Sequence, residues 1–400
     1  MADPGPFDLS VLERVTDPYP LLSELRSSGP VRRTTDGFWA VTGHAAALDA
    51  LRHPACASSP IALRFLEGLP EGAARDEMVH RINFLDPPDH PRVRSLLSTA
   101  FTPRRVGALR PWIDATAGDL AAALSRRGGA VDLVADFAHQ VPSLVISELL
   151  DVPVEERDRL TEFSDRTAPL LGLRTTPEQR ADAVVAAEEF HAYLSALLDA
   201  RTAAPGDDLL SALLGAEAEG DRLTRPELLS LAATLYSAGH RTTRDLFANG
   251  VSVLLDDPDR WQRVVDGRWA VPDVVGEFLR FETPTLYVVR VPLEPMVLGG
   301  VEVGPWEPLV VVLGAANRDP AVYDAPDEFR PGRAGPPPLS FAFGAHYCLG
   351  ASLARSEAEA MLAALVAAFP GLHEPAPTGL LRPWRQRGAF RGLDRLVVAG

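Results

Sequence analysis

The sequence contains no lysine, and its 39 basic residues, all arginines, stand against 54 acidic residues, which gives a formal net charge of −15. Phosphate contacts need a positive surface, so this charge argues against a nucleic-acid-binding protein. Cysteine is almost absent too. Cys56 and Cys348 are too few for a disulfide framework and favour a reducing, cytoplasmic environment.

Long hydrophobic runs and targeting signals are also missing. No run of about 18 or more apolar residues occurs, so no transmembrane helix is predicted. Residues 1–6 are polar and proline-rich, unlike a secretory signal. The hydrophobic content of 46% is enough for a large core. We therefore expect a soluble cytoplasmic protein that does not bind membranes.

Most of the chain has the pattern of helices, with a smaller β-rich part. A hairpin is predicted over residues 31–41, with a two-residue turn at Asp36-Gly37. A second strand-rich region covers residues 285–313, and a last strand covers residues 396–398. No internal repeat, linker or dinucleotide-binding G-x-G-x-x-G segment is present. These patterns predict a single mainly α domain.

One long helix is predicted between residues 224 and 256. Residues 224–227 (TRPE) form a capping box with proline in the first turn, and residues 256–258 (DDP) end the helix. About 30 residues would span about 45 Å. The middle nevertheless carries a glycine and polar residues at 239–243 (GHRTT). Since this breaks the local rules for a buried helix, we expect function there.

A second chemical site is predicted around Cys348. Residues 341–350 (FAFGAHYCLG) follow three prolines and precede a helix predicted over residues 351–369. The start of a helix favours a negative charge, and therefore a thiolate. A thiolate is a strong axial ligand for haem iron. A buried structural thiol is the alternative, and a zinc site would need about four ligands, of which only His346 and Cys348 are present.

This segment resembles the haem-binding loop of the cytochrome P-450 family, with Ala342 where the family has its first glycine. The resemblance extends over nearly the whole chain. Residues 277–280 (EFLR) match the family's E-x-x-R pair, and residues 315–320 and 329–333 match the stretch that supplies a third arginine. The resemblance assigns Cys348 as the ligand of the iron.

The resemblance also implies the other contacts of the cofactor. Residues 86–94 (DPPDHPRVR) match a family segment that binds a haem propionate, and two buried carboxylates need charged partners. The implied propionate contacts are His90, Arg94, Arg290 and His346. The remaining implied haem contacts are Phe341, Gly350 and Ala238.

The middle of the long helix resembles the family's oxygen-binding groove, with one departure. The family has an acid where this chain has Arg241, and arginine cannot relay protons as a carboxylate does. Gly239 and Thr242 are retained. The implied catalytic residues are therefore Thr242, Gly239 and Arg241. Arg241 either pairs with Asp245 one turn later or binds an acidic or carbonyl group of the substrate, with Arg387 assisting.

The implied fold is a mainly α cytochrome P-450 domain covering residues 1–400, with a smaller β-rich part and no fused reductase. Haem b (iron protoporphyrin IX) would lie between the long central helix and the Cys348 loop. A ferredoxin and its reductase would supply electrons to a monomeric enzyme. Four arginines are candidates for a basic docking face: Arg92, Arg104, Arg105 and Arg355.

Three function classes follow from the resemblance. The first is a monooxygenase that hydroxylates or epoxidises a small molecule in bacterial natural-product biosynthesis. The second, kept open by the missing acid, is an oxidase that couples or cyclises its substrate or uses peroxide. The third is a non-catalytic haem protein, which the retained Thr242 and Gly239 disfavour. Substrate-facing segments would be residues 61–69, Leu235 and Ala238, residues 286–289 and residues 387–389.

Overall fold

The computed structural model describes residues 8, 11–12, 15–172, 175–218, 220–375 and 382–400, and most of them are helical. The helices, in chain order, are α1 (Tyr19–Ser27), α2 (His44–Arg52), α3 (Ser59–Leu66), α4 (Ala73–His80), α5 (Asp89–Ala100), α6 (Pro103–Ala108), α7 (Arg110–Arg127), α8 (Gln140–Leu149), α9 (Arg157–Thr167), α10 (Pro177–Ala203), α11 (Leu209–Leu214), α12 (Arg225–Leu255), α13 (Pro258–Val265), α14 (Val271–Phe281), α15 (Leu313–Ala316) and α16 (Ala351–Ala368). The predicted mainly α fold is confirmed.

The strands are short. In chain order they are β1 (Val31–Arg33), β2 (Trp39–Val41), β3 (Cys56–Ala57), β4 (Val131–Asp132), β5 (Glu217–Ala218), β6 (Asp221–Arg222), β7 (Val288–Pro292), β8 (Met296–Leu298), β9 (Val301–Val303), β10 (Leu309–Val311), β11 (Trp384–Arg387), β12 (Phe390–Leu393) and β13 (Val397–Val398). The described residues divide into two compact units, the first within Met1–Ala57, Arg110–Val141 and Thr242–Gly400, the second within Ser58–Leu109 and Pro142–Arg241.

The first unit contains a five-stranded sheet in the order β1-β2-β10-β7-β3. The β1–β2 hairpin is confirmed, but its register pairs Arg33 with Trp39, and Thr34 N donates to Phe38 O at 2.8 Å. The loop therefore has three residues instead of two, with Gly37 at φ +87°. An apolar core joins this sheet to α2 and to Leu339, two residues before the Cys348 loop. The sheet thus anchors the start of that loop.

The second unit packs α4 against α10. Met78 and Ala74 lie one turn apart on α4, and Ala183 and Ala187 lie one turn apart on α10; all four belong to one buried apolar cluster. This packing fixes the direction in which the polar side chains of α4 leave the helix. None of the helices in the described ranges is both long enough and apolar enough to cross a bilayer.

Helix α12 has almost the bounds that its sequence predicts. Glu227 Oε2 accepts hydrogen bonds from Thr224 N at 2.8 Å and from Thr224 Oγ1 at 2.9 Å, so the carboxylate caps the first turn. The helix then runs without interruption for 31 residues to Leu255. The glycine and polar residues in its middle do not break it.

Candidate functional site

The Cys348 loop is a tight backbone structure in the first unit. Cys348 N donates to Phe341 O at 3.0 Å, and Tyr347 N donates to Gly344 O at 3.0 Å. Gly350 is the N-cap of α16, so Cys348 lies just before the first turn of that helix, as predicted. The Cys348 side chain is exposed and that of His346 is half-buried. The fold therefore presents a thiol at the start of a helix.

Two small residues shape this loop. Gly344 has φ +75°, and a Cβ at this position would lie 2.7 Å from Leu51 O of α2, so only glycine fits. Ala342 has φ +57° and ψ −157°, a conformation that alanine rarely adopts. The family's glycine at that position therefore has a conformational reason, and its replacement by alanine strains this chain. A pocket of about 380 Å³ borders the loop and is lined mainly by apolar residues, among them Phe341, Phe343 and Tyr347.

The predicted Glu277–Arg280 pair is buried in the first unit. The two side chains form two hydrogen bonds, Arg280 Nη2 to Glu277 Oε1 at 2.7 Å and Arg280 Nε to Glu277 Oε2 at 2.8 Å. Arg333 Nε donates to both oxygens at 3.2 Å, which identifies the third arginine. Arg330 adds its backbone N–H at 2.7 Å. This network is buried and structural; it is not a surface ion pair.

Three other predicted cofactor contacts lie in the first unit. Arg290 is a buried residue of β7 and donates from Nη1 to Val289 O at 2.8 Å. His346 and Phe341 belong to the Cys348 loop itself.

Burial raises the pKa of the half-buried Cys56 thiol to about 11, although the charge of Arg290 acts in the opposite direction. Cys56 is therefore poorly suited to be a thiolate at neutral pH.

His90 and Arg94 lie one turn apart on α5 in the second unit, so they share one face of that helix. His90 is buried and Arg94 is half-buried. The preceding Asp86 accepts hydrogen bonds from Ser58 N at 2.8 Å and Ser59 N at 2.7 Å, which ties the start of α5 to the start of α3. The predicted segment therefore presents a histidine and an arginine together on a fixed helix.

The middle of α12 has an accessible face in an otherwise buried stretch. Ala238 is exposed, and Leu235, Gly239 and Thr242 are partly exposed, at spacings that place them on one side of a helix. Gly239 also has a packing role in the second unit, because a Cβ there would lie 3.1 Å from a methyl group of Ile146. Small side chains on this face suit the approach of a large flat group.

The side chains flanking this face have defined partners. Arg241 Nε donates to Ser237 O at 3.1 Å. The buried His240 places Nδ1 at 2.8 Å from Tyr236 O and Nε2 at 3.2 Å from Asp165 Oδ1. Burial lowers the pKa of His240 despite the nearby Asp165. The sequence did not predict that His240 contacts Tyr236 and Asp165.

Asp245, the predicted ion-pair partner of Arg241, binds two other arginines. Its Oδ1 accepts from Arg244 Nε and from Arg385 Nη2, each at 2.8 Å. The pairing of Arg241 with Asp245 stays a prediction. The side chain of Arg387, the residue suggested to assist Arg241, lies outside the described part of the structure.

Two of the predicted substrate-facing segments lie side by side in the first unit. Leu286 N donates to Ala389 O at 2.7 Å, and Thr285 pairs with Phe390 in an isolated β-bridge. Residues 61–66 of a third segment belong to α3 of the second unit, where Leu63 is 66% exposed. The segments at residues 286–289 and 387–389 can therefore contact one ligand.

Sequence reasoning missed a buried charged cluster in the second unit. Glu77 of α4 contacts Arg81 one turn later and His191 of α10. Glutamate and arginine four residues apart are visible in the sequence, but that spacing also occurs on many exposed helices. Only the packing of α4 on α10 shows that the pair is buried.

Known structures of the same fold match nearly the whole chain. The crystal structure of CalO2 matches with a TM-score of 0.92 and 30% identity over 98% of both chains. P450BioI in complex with an acyl carrier protein carrying hexadec-9Z-enoic acid matches with a TM-score of 0.86 and 30% identity over 96% of this chain and 98% of that one. These structures define the class of fold as that of P450 enzymes.

Sequence comparisons give the family. The family model described as Cytochrome P450 matches residues 270–376. Nocardicin C N-oxygenase of Nocardia uniformis subsp. tsuyamanensis is 38% identical over 82% of this chain and 80% of its own. The cytochrome P450 monooxygenase PikC of Streptomyces venezuelae is 34% identical over 99% of this chain and 95% of its own. The chain belongs to the cytochrome P450 family and is an oxidoreductase of the monooxygenase type.

Membership of this family implies a haem-thiolate cofactor, and the residues present fit it. An exposed thiol precedes α16, and the loop that carries it has positive φ angles at Ala342 and Gly344. In the first unit, Arg290 and His346 are basic side chains of the kind that bind carboxylates. The second unit has its own pair of such side chains, His90 and Arg94 on α5.

Proposed function

We propose that this protein is a haem-thiolate monooxygenase that hydroxylates or epoxidises a small organic molecule, with Cys348 as the ligand of haem b. The observation that carries the proposal is the exposed Cys348 thiol at the start of α16, in a loop closed by the Cys348 N to Phe341 O hydrogen bond. Bound haem supplies the reductive activation of dioxygen. Its thiolate ligand donates electron density to the iron.

The chain's own residues would hold and orient the reactants. We assign His90, Arg94, Arg290 and His346 to the propionates, because each can donate a charged or neutral hydrogen bond to a carboxylate. Phe341 and Gly350 would contact the cofactor on the Cys348 side, and Ala238 on the α12 side. Gly239 would leave room for dioxygen in the groove of α12. Thr242, which is half-buried, would orient dioxygen and pass on protons through its hydroxyl group.

The substrate class is proposed from the relatives. Nocardicin C N-oxygenase is named for the oxidation of nocardicin C, so we propose a role in bacterial natural-product biosynthesis. The substrate is either a free molecule or one attached to a carrier protein, as in the P450BioI complex. Attachment to a carrier protein through a thioester would occupy the carboxyl group of the substrate. A substrate that binds the enzyme through its carboxylate would therefore not be attached to a carrier through that group.

We propose a ferredoxin and its reductase as electron donors, a monomeric enzyme and a cytoplasmic location, where such donors are kept reduced. Near the Cys348 loop, Arg355 lies over the Phe341 ring at 5.3 Å and Phe343 is exposed.

Two arginines predicted for the docking face instead form ion pairs within the protein: Arg92 pairs with Glu227 and Asp221, and Arg105 with Asp207. Electron transfer should slow with rising salt, and Arg355→Gln should weaken this dependence more than Arg105→Gln.

An oxidase that couples or cyclises its substrate, or uses peroxide, is a second candidate because Arg241 replaces the family's acid. The experiment that separates the two uses ¹⁸O₂ with a pathway intermediate selected by its effect on the haem spectrum. A monooxygenase places one ¹⁸O atom in the product and the other in water. A product that lacks ¹⁸O, formed at a rate equal to dioxygen consumption, would contradict the first candidate.

Arg241 has two possible roles within this proposal. Pairing with Asp245 would make it structural, whereas binding a substrate carboxylate or carbonyl would make it an anchor. In the second case Arg241→Ala should weaken substrate binding by about 1.5–3 kcal/mol, the scale of a charged hydrogen bond, and leave the carbon-monoxide spectrum intact. If Arg241→Glu binds substrate normally and turns over faster, Arg241 is not the anchor.

A further inference from the structure

A buried carboxylate lies beside the polar face of α12 in the second unit. Glu77 of α4 is 2% exposed, and its Oε1 accepts a 2.5 Å hydrogen bond from Arg81 Nη1. Its Oε2 lies 3.5 Å from Nε2 of His191, which is also buried. This separation is long for a direct hydrogen bond. The carboxylate is therefore tied firmly at one oxygen and loosely at the other.

A hydrogen bond fixes which side of α12 faces α4, the helix that carries this carboxylate. Ser230 Oγ donates to Glu77 O at 3.0 Å, so α4 packs on the side of α12 that carries Ser230. Thr234, Ser237 and Arg241 follow at spacings of three and four residues, on the same side of the helix. Arg241 Nε donates to Ser237 O at 3.1 Å, which holds the side chain against the preceding turn. The Arg241 side chain is therefore held on the side of α12 against which α4 packs.

The charges of the two groups interact. Burial alone would raise the pKa of Glu77, but His191, Arg81 and Arg241 together more than offset this and lower it. Glu77 is therefore ionised and draws part of its stabilisation from Arg241.

The cluster also retains hydrogen-bonding capacity. Three buried atoms have no hydrogen-bond partner among the described residues: Glu77 Oε2, His191 Nε2 and Thr234 Oγ1. Buried polar atoms are rarely left so unless water or a ligand satisfies them. The chain thus maintains, next to Arg241, a polar environment that its described residues do not complete.

We propose that Glu77 is a specificity-determining residue that acts through Arg241: it positions the guanidinium and competes with the anionic group of a substrate for it. The inference rests on the proposed function, since it takes α12 to border the haem-side substrate space. The ligand class is a small organic anion, with a carboxylate as the group that a guanidinium binds best. Glu77 sets how strongly the enzyme prefers such an anion over its neutral analogue.

The test uses two azoles that bind haem iron through the same nitrogen, 4-(imidazol-1-yl)benzoate and 4-(imidazol-1-yl)benzamide. Their dissociation constants are measured from the shift of the haem absorption band, and the ratio of the amide value to the acid value is the anion preference. Because both azoles bind the iron in the same way, this ratio reports on charge near the substrate space and needs neither turnover nor a known substrate.

Four variants define the expected pattern. Arg241→Gln lowers the anion preference about tenfold or more, as expected for one lost charged hydrogen bond. Glu77→Gln raises it about threefold to tenfold, because the competing carboxylate is gone. The double variant equals Arg241→Gln within about twofold, because Glu77 acts only through Arg241. Glu148→Gln, which breaks the 2.7 Å pair with Arg157 elsewhere in the same unit, leaves the preference unchanged.

Any other pattern among these variants overturns the proposal. An unchanged or lower preference in Glu77→Gln would do so, as would an equal rise in the Arg241→Gln background or an unchanged preference in Arg241→Gln. If Glu77→Gln does not fold, Glu77→Asp, which withdraws the carboxylate by one methylene, must raise the preference by a smaller factor. Wild-type protein that binds neither azole at the iron would instead contradict the proposed function itself.

Discussion

Two buried glutamate–arginine pairs, one in each unit, show how the same residue types serve different purposes. Glu277 and Arg280 of α14 are almost fully buried, as are Glu77 of α4 and Arg81, which directly follows that helix. Glu277 has partners on both oxygens, and Arg280 donates its remaining hydrogen bonds to the carbonyls of Asn317, Pro326 and Glu328. Every charged group in this network is satisfied.

Glu77 is less completely bound. Its Oε2 and the nearby His191 Nε2 lack hydrogen-bond partners among the residues described, and its charge extends to Arg241. A fully satisfied network fixes one arrangement, whereas an incomplete one retains capacity for a ligand or water. The first pair therefore holds the fold together, and the second lies where we propose substrate selection.

The largest expected effect comes from breaking the complete network. Glu277→Gln should lower the free energy of unfolding by about 3–5 kcal/mol, because the buried Arg280 and the partly buried Arg333 lose their counter-charge. Glu77→Gln should cost less, about 1–3 kcal/mol, since fewer hydrogen bonds depend on it. Urea unfolding of the haem-loaded protein, followed by circular dichroism, measures both. Equal losses, or a larger loss for Glu77→Gln, would remove the distinction between the two pairs.

A pH series adds a third buried glutamate, Glu357 of α16, and predicts opposite signs. The lowered pKa of Glu77 contributes stability that is present above the unfolded carboxyl pKa of about 4.3 and is lost as pH falls. Burial raises the pKa of Glu357 well above its usual value, so its contribution is present below about pH 4.3 and is lost as pH rises.

Melting temperatures between about pH 4 and pH 8 test both signs. The melting temperature of Glu77→Gln should fall further below that of wild type as pH rises through the range in which carboxyl groups titrate. The melting temperature of Glu357→Gln should rise relative to wild type over the same range, because the variant removes a buried acid whose Oε2 has no described hydrogen-bond partner. Parallel curves for the two variants would show that their surroundings do not differ as the contacts indicate.

The smallest expected effect concerns the backbone of the Cys348 loop, which is well bonded yet strained at one residue. Ala342→Gly should raise the free energy of unfolding by about 1 kcal/mol, because glycine tolerates φ +57° without cost. Ala345→Gly, in the same loop but outside the positive-φ region, should lower it by about 0.5–1 kcal/mol. A loss of stability in both variants would show that Ala342 is not strained.

Local sequence patterns predicted much of the fold. The capping box at residues 224–227 placed the start of α12, and the prolines and glycines around Cys348 placed the start of α16, because both signals act within one helical turn. The Asp36-Gly37 turn was located, but the loop is one residue longer than predicted. Loop length depends on register, which the flanking strands determine.

The candidate site was predictable where it follows a family motif and not where it depends on distant packing. Local motifs predicted the position of Cys348 before α16 and the pairing of Glu277 with Arg280, and both are confirmed. Glu77 and His191 could not, because α4 and α10 are far apart in the chain and no local pattern links them. Ser230, which ties Glu77 to α12, looks like any other serine in the sequence.

The most direct test of the account is the carbon-monoxide spectrum of the reduced protein, measured in two matched cysteine variants. Cys348→Ser should lose the long-wavelength band of thiolate-ligated haem, because serine cannot supply the thiolate. Cys56→Ser should keep it, since Cys56 is half-buried, has its sulfur 3.6 Å from Met296 Sδ and has a pKa raised to about 11. Retention of the band in Cys348→Ser, or its loss in Cys56→Ser, would contradict the central claim that Cys348 ligates the haem iron.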